Sequence, residues 1–202
     1  MRALVRERRS GAIDDTLVLV EHPPVVTVGV EGDDGSAAAS GLPVVPVERG
    51  GRATYHGPGQ LVGYPVVDLD RRGRDVRRFV RDLEALLVRS VAPFGVVAAH
   101  TSGQPGVWVD GRRKLASIGI SVEHWVTFHG FALNVAPDLA AFERFHPCGL
   151  DGAVMTSLAR ELGRPVTLNE VRPHVLEAWS ELFSPAALAR PPPEPAVAVA
   201  RA

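Results

Sequence analysis

Arg112-Arg113-Lys114-Leu115-Ala116-Ser117-Ile118-Gly119-Ile120 decides how the second half of this chain is read. Leu115 to Val122 is apolar enough for a strand, and it sits in a series of extended segments with no helix between them. Those segments are Val96 to Ala99, Val107 to Val109, Leu115 to Val122 and roughly Trp125 to Val135. Strand-rich hairpins with interspersed helices, and no regular βαβ alternation, predict an α+β fold: one domain of mixed, largely antiparallel sheet with flanking helices. The same stretch holds the one lysine of the chain, Lys114; every other member of the Lys+Arg total of 22 is an arginine. Arginine stays protonated at any working pH, whereas a lysine amine loses its proton when desolvated or placed near a charge. The chain also has a single cysteine, Cys148, within His146-Pro147-Cys148-Gly149. One deprotonatable amine and one thiol suggest a Cys/Lys pair.

Toward the N-terminus, Leu17 to Val20 and Val25 to Val30 read as two strands around the break Glu21-His22-Pro23-Pro24, and residues 31 to 43 as a surface loop. Val44 to Val47 is a third strand. It runs into a Gly-rich polar segment, Glu48 to Gln60, that is too long for a hairpin turn, after which Leu61 to Leu69 returns to strand. Asp75 to Val91 is the clearest helix: Val76, Phe79, Val80, Leu83, Leu86, Leu87 and Val91 share one face, with Pro93 and Gly95 behind it as a stop. Past Val135, Asp138 to Phe145 and Thr156 to Leu162 read as short helices, the second stopped by Gly163. Thr167-Leu168-Asn169-Glu170 is a capping box that opens a last helix to about Phe183. A catalytic domain is expected over 1–184 and an Ala/Pro-rich disordered tail over 185–202.

A chain of 202 residues with 46% hydrophobic content can bury a full core. A net charge of -1 gives no reason to expect nucleic acid or a membrane surface as partner. One cysteine allows no internal disulfide, and no run approaches the roughly 20 apolar residues of a membrane span, so a cytoplasmic protein is expected.

The candidate chemical groups divide by context. Most lone cysteines are buried and inert, but Cys148 stands between proline and glycine, which favours an exposed nucleophilic thiol. His124 and His129 are five apart on an expected strand and make a poor metal pair, and His146 and Cys148 have no CxxC or HxxxH companion, so no metal is expected. His56 and His129 each precede a glycine and read equally as structural or as site histidines. Gly50-Gly51 and Gly57-Pro58-Gly59 either cradle a phosphate or make turns, and no Walker sequence accompanies them.

Taken together, five blocks in order resemble the octanoyltransferases of lipoate biosynthesis. They are Glu21-His22-Pro23-Pro24-Val25, Arg49-Gly50-Gly51 through Thr54-Tyr55-His56-Gly57-Pro58-Gly59-Gln60, Lys114 through Gly119, Phe128-His129-Gly130-Phe131-Ala132-Leu133-Asn134-Val135, and Pro147-Cys148-Gly149. The resemblance covers residues 17 to 163 and implies the fold of the biotin and lipoate protein ligase catalytic domains. It implies an acyl-thioester intermediate on Cys148, activated by Lys114. It further implies acyl-substrate contacts from Arg49, Gly50, Gly51, Arg52, Ala53, Thr54, Tyr55 and His56, from Ser117, Ile118 and Gly119, and from His129, Gly130 and Phe131. The chain departs from the family at Val26, where a tyrosine is usual. Met1 to Asp15 stand where the family carries a longer segment.

The reaction so implied takes octanoyl from octanoyl-acyl carrier protein to a lysine of lipoyl domains, those of 2-oxoacid dehydrogenases and the glycine cleavage H protein. It needs no cofactor. Related readings are an amidotransferase between carrier proteins and an ATP-dependent lipoate ligase of the same fold. Lipoate ligases, however, typically pair two arginines before a Gly-Gly-Gly run and carry a His-Asp pair, where this chain has Arg49-Gly50-Gly51 and His56-Gly57. Acyl carrier proteins are acidic, so an arginine surface is expected to dock the donor: Arg74, Arg77, Arg78 and Arg81, or Arg112 and Arg113 beside Lys114.

Overall fold

The structure, a computed structural model, describes residues 1–101 and 103–184, and Cys148 through its backbone. The expected tail at 185–202 and the side chain of Cys148 lie outside the described residues. In chain order the elements are α1 (Arg2–Ser10), β1 (Thr16–Val20), β2 (Val25–Val28), α2 (Ser36–Ala39), β3 (Val44–Pro46), β4 (Ala53–His56) and β5 (Gln60–Val66). They continue with α3 (Val76–Val91), β6 (Ala98–Thr101), β7 (Gln104–Val109), β8 (Arg113–Glu123), β9 (Val126–Asn134), α4 (Leu158–Leu162) and α5 (Leu168–Phe183).

Six strands form an antiparallel sheet in the order β1-β5-β9-β8-β7-β6. The run of hairpins from β6 to β9 is the part the sequence pattern anticipates, and it builds one side of that sheet. A second, three-stranded sheet has the order β3-β2-β4, with β2 parallel to β3 and antiparallel to β4.

One face of the large sheet is covered by α3 and α5, which pack on each other. Helix α3 starts where the Asp75 carboxylate accepts from Arg78 N–H at 2.9 Å, and α5 starts at a reciprocal capping box between Thr167 and Glu170. Their apolar stripes meet the sheet at a single core that includes Leu83, Leu86, Leu87, Val171, Val175, Leu61, Leu115 and Leu133. Each fully buried leucine there contributes on the order of 1.5–3 kcal/mol. Strand β9 is buried at every position, because its other face is covered too. There α1 seats Val5 against Val66, Val126 and Phe128. Beyond it the small sheet packs Val26, Ala53 and Tyr55 against Phe142, Phe145 and Met155.

Several local expectations shift. Within Met1 to Asp15, where the sequence pattern assigns no element, Arg2–Ser10 is helical in α1. The loop expected over 31 to 43 contains α2, and the Gly-rich segment 48 to 60 contains β4, whose Thr54 and Tyr55 pair with Thr27 and Val26. The first strand of the hairpin series begins at Ala98 instead of Val96, and Val97 is 86% exposed. Leu139–Arg144 is a 3-10 turn instead of an α-helix. His124 lies in the turn between β8 and β9, with φ 50°, so it does not share a strand with His129. No helix among the described residues is long and apolar enough to cross a membrane.

Candidate active site

Between the two sheets lies a cavity of about 260 Å³. Its apolar wall comes from Val25, Val45, Val47, Val62, Phe131 and Ala132, and no carboxylate occurs among the described lining residues. Strand alternation explains which residues arrive there. On β4, Thr54 and His56 line the cavity while Ala53 and Tyr55 turn away into the second core. On the large sheet, Val62, Ala132 and Ser117 are direct cross-strand neighbours and share the cavity face. Arg49 enters from the loop before β4, its guanidinium donating to Thr27 O at 2.8 Å and Thr27 Oγ1 at 3.0 Å. Gly119 makes room for it: a Cβ on that residue would sit 2.9 Å from the Arg49 Cδ.

Three histidines ring the cavity, and all are driven toward the neutral form. Burial lowers His56 to about 4, against a partial opposing effect of its bond to Gln60, with Arg49 adding to the fall. Burial and then Arg49 lower His129 to about 4. His22 is lowered by burial and bonds Tyr64 Oη through Nε2 at 2.7 Å. Strict alternation along β9 would send His129 toward the helices with Leu133. Its left-handed backbone, φ 57°, breaks the alternation, and the ring lines the cavity instead.

Lys114 is the second residue of β8, three residues before the cavity-lining Ser117. It is 4% exposed, and its Nζ lies 5.1 Å from the ring centroid of its cross-strand neighbour Trp108. Its backbone bridges to Met155, and its carbonyl accepts from Thr156 N–H at 3.0 Å. The segment that pairs there therefore follows closely on the turn Pro147–Gly149, which carries Cys148 and packs against β4. His146, at the head of that turn, is held to the 33–37 loop by Asp34 at 2.6 Å and by the Ser36 hydroxyl at 3.0 Å.

Residues 1–180 match the lipoyl protein ligase A/B catalytic domain. The chain belongs to this family. It is 48% identical over 179 residues to the octanoyltransferase of Geobacter sulfurreducens, covering 89% of this chain and 76% of that protein. It is 53% identical over 163 residues to that of Geobacter metallireducens, covering 81% and 76%. A solved structure of lipoate-protein ligase A bound with ATP shares the fold, with a TM-score of 0.71 at 18% identity over 88% of this chain and 78% of that one.

In this lipoyl ligase-family chain, most of the residues expected to contact substrate converge on the one cavity. Arg49, Gly50, Gly51, Thr54 and His56 line it from one side, Ser117, Ile118, Gly119, His129, Gly130 and Phe131 from the other. Arg52, Ala53 and Tyr55 do not. Ala53 and Tyr55 are core residues, and Arg52 borders a separate groove with Asp34, His146 and Gly149. Among the described residues, Lys114, Pro147 and Gly149 do not line the cavity. Of the expected docking arginines, Arg113 is spent internally on Glu161 at 2.8 Å and Asp110 at 2.8 Å, and Arg74 on Asp70 at 2.5 Å. Sequence reasoning missed Thr27, Val62 and Tyr64 as cavity residues. It had His22 in a family block but gave it no role, and only the His-Pro-Pro context pointed to it.

Proposed function

We propose that this chain is an octanoyltransferase whose catalytic domain spans residues 1–184. It moves octanoyl from octanoyl-acyl carrier protein, through a thioester on Cys148, to the lysine of lipoyl domains of 2-oxoacid dehydrogenases and the glycine cleavage H protein, in the cytoplasm. One observation carries the reading: an apolar cavity with no carboxylate among its described lining residues adjoins both the strand that bears Lys114 and the strand on which the Cys148 turn packs. Such a cavity suits an eight-carbon chain. Its volume falls just below the roughly 300–1,000 Å³ of drug-sized ligand sites. Family membership and the octanoyltransferase relatives support the same substrate.

In the first step the Cys148 thiolate attacks the thioester carbonyl of the donor, the carrier's thiolate leaves, and a proton returns to it. In the second, the amine of the acceptor lysine attacks the acyl-cysteine, an amide forms, and the Cys148 thiol is regenerated. Thioester-to-thioester exchange is near balance and thioester to amide runs downhill, so neither step needs a nucleotide. A free thiol with a pKa of about 8.5 is only a few per cent thiolate at neutral pH, and an adjacent ammonium raises that fraction. Lys114 takes that role here and carries protons between the leaving and attacking groups. Backbone N–H groups of Ser117 to Gly119 or of the Cys148 turn are candidates for stabilising the oxyanion, each worth roughly 2.7–4 kcal/mol.

The test is incubation with octanoyl-carrier protein followed by intact mass. One octanoyl adduct is expected on the wild type and none on Cys148→Ser, whose transfer to a lipoyl domain should fall below roughly a tenth of wild type. Transfer that requires added ATP and magnesium would replace this reading with the ligase reaction.

A further inference from the structure

Behind the cavity wall runs a chain of buried amides. His56, Gln60 and Asn134 are 9%, 2% and 1% exposed. His56 Nδ1 lies 2.7 Å from Gln60 Oε1. Gln60 Nε2 donates to Asn134 Oδ1 at 2.9 Å and to the Tyr55 carbonyl at 3.3 Å, and Asn134 Nδ2 donates to the Thr156 carbonyl at 2.9 Å. The polarity of this chain is forced. A main-chain carbonyl has no proton to give, so the oxygens of Tyr55 and Thr156 only accept. Asn134 must therefore turn its nitrogen to Thr156 and its oxygen to Gln60, and Gln60 must turn its nitrogen away from His56. Gln60 Oε1 then meets the imidazole as an acceptor, and Nδ1 must carry the proton. A neutral ring has one N–H, so Nε2 is left with a lone pair, on the part of the ring that remains to line the cavity.

We infer that Gln60 and Asn134 are positioning residues that hold His56 in its Nδ1–H tautomer, so that Nε2 accepts a hydrogen bond from the attacking amine of the acyl acceptor. The inference rests on the transfer reaction proposed above. Of the substrate groups, the acyl chain and its carbonyl have no proton to offer, whereas the attacking amine does. The charged and titratable neighbours of His56 are Arg49, His22 and His129, and each disfavours its protonation, which keeps the acceptor available. Neither amide lines the cavity. Gln60, which bonds the imidazole directly, acts on transfer through His56, and Asn134 acts on His56 by fixing the orientation of Gln60.

The experiment is long-range 15N–1H NMR of histidine side chains in the full chain at pH 7, alongside transfer kinetics. Wild-type His56 should be neutral and protonated at Nδ1. Gln60→Met removes the acceptor and should shift the ring toward Nε2–H, with kcat for transfer falling roughly 10- to 100-fold, as for misoriented site groups generally. Gln60→Glu keeps an acceptor at Nδ1 and should retain the tautomer. The oxygen that replaces Gln60 Nε2 faces two acceptors, Asn134 Oδ1 and the Tyr55 carbonyl, so it carries a proton to bond them. The variant's kcat should stay within a few-fold of wild type, rescuing what Gln60→Met loses. A wild-type ring found as Nε2–H, or as imidazolium at pH 7, overturns the inference, as does a Gln60→Met protein with unaltered tautomer and kinetics. The NMR readout needs no activity, so a wild type with the Nδ1–H ring but no octanoyl transfer would instead sink the proposed reaction.

Discussion

Lys114 is sealed against Trp108 at the head of β8, a setting in which arginine can keep the positive charge by stacking on the same ring. Charge alone would then survive Lys114→Arg, whereas proton transfer would not, because a guanidinium with a pKa above about 12 does not act as a base. Turnover should fall at least about 100-fold in that variant. The pH dependence of Cys148 alkylation should shift much less. Near-wild-type turnover would leave Lys114 an electrostatic role only. At the same scale, His56 links folding to pH. Its folded pKa, lowered from 6.5 to about 4, lies below the unfolded one, so between those values the unfolded chain binds the extra proton. Stability is therefore full above about pH 6.5 and declines as pH falls toward 4, by up to about 3 kcal/mol from this residue. Urea unfolding at pH 7, 5.5 and 4.5 should show that loss, and His56→Phe should remove this residue's share while leaving that of His129, which is lowered to about 4 as well.

At the scale of elements, α3 and α5 were legible because both carry an amphipathic stripe and a side-chain N-cap within the same dozen residues. The Thr167 hydroxyl accepts from Glu170 N–H at 3.3 Å while Glu170 Oε2 accepts from Thr167 N–H at 2.7 Å. Thr167→Ala should cost about 1 kcal/mol, or about 2–4 °C in Tm for a chain of this size. Transfer kinetics should not change, since α5 covers the sheet face opposite the cavity; a kinetic effect without a Tm change would contradict that placement. The β4 strand was not legible. Its four residues alternate, but the alternation is too short to be read as a strand behind two glycines, and β2 supplies the partner that makes it one. The helix α1 was missed for a similar reason: its burial comes from Val66, Val126 and Phe128, all more than fifty residues away.

On the scale of the whole molecule, a part-buried charge network joins the first and last described elements. Arg8, 4% exposed, donates to Asp15 Oδ1 at 2.7 Å. Arg72 bonds Asp15 Oδ2 at 3.2 Å and caps α5 through the Phe183 carbonyl at 2.7 Å, with its guanidinium 5.1 Å from the Phe183 ring centroid. Asp15→Ala would leave two arginines short of their carboxylate, and removing one partner of such a group costs about 3 kcal/mol or more. Thermal unfolding should show a clear drop in Tm, with Asp15→Asn intermediate because its amide oxygen still accepts. An unchanged Tm for Asp15→Ala would mean that Asp68, 3.7 Å from Arg8, takes over the pairing.

The sequence by itself determined the α+β class, the hairpin series that becomes one side of the large sheet, the two long helices and the five blocks that identify the family. Those features are written in local period, capping residues and contiguous motifs, which need no partner from elsewhere in the chain. Only the tertiary structure decided that Thr54 and His56 face the cavity while Ala53 and Tyr55 do not, since a one-residue change of strand phase exchanges the two sets. Tertiary packing alone also turned His129 inward, tied Arg113 to Glu161, and lined up Gln60 and Asn134 behind His56. Each of these depends on which strand lies beside which. That is a property of long-range pairing, and no window of sequence contains it.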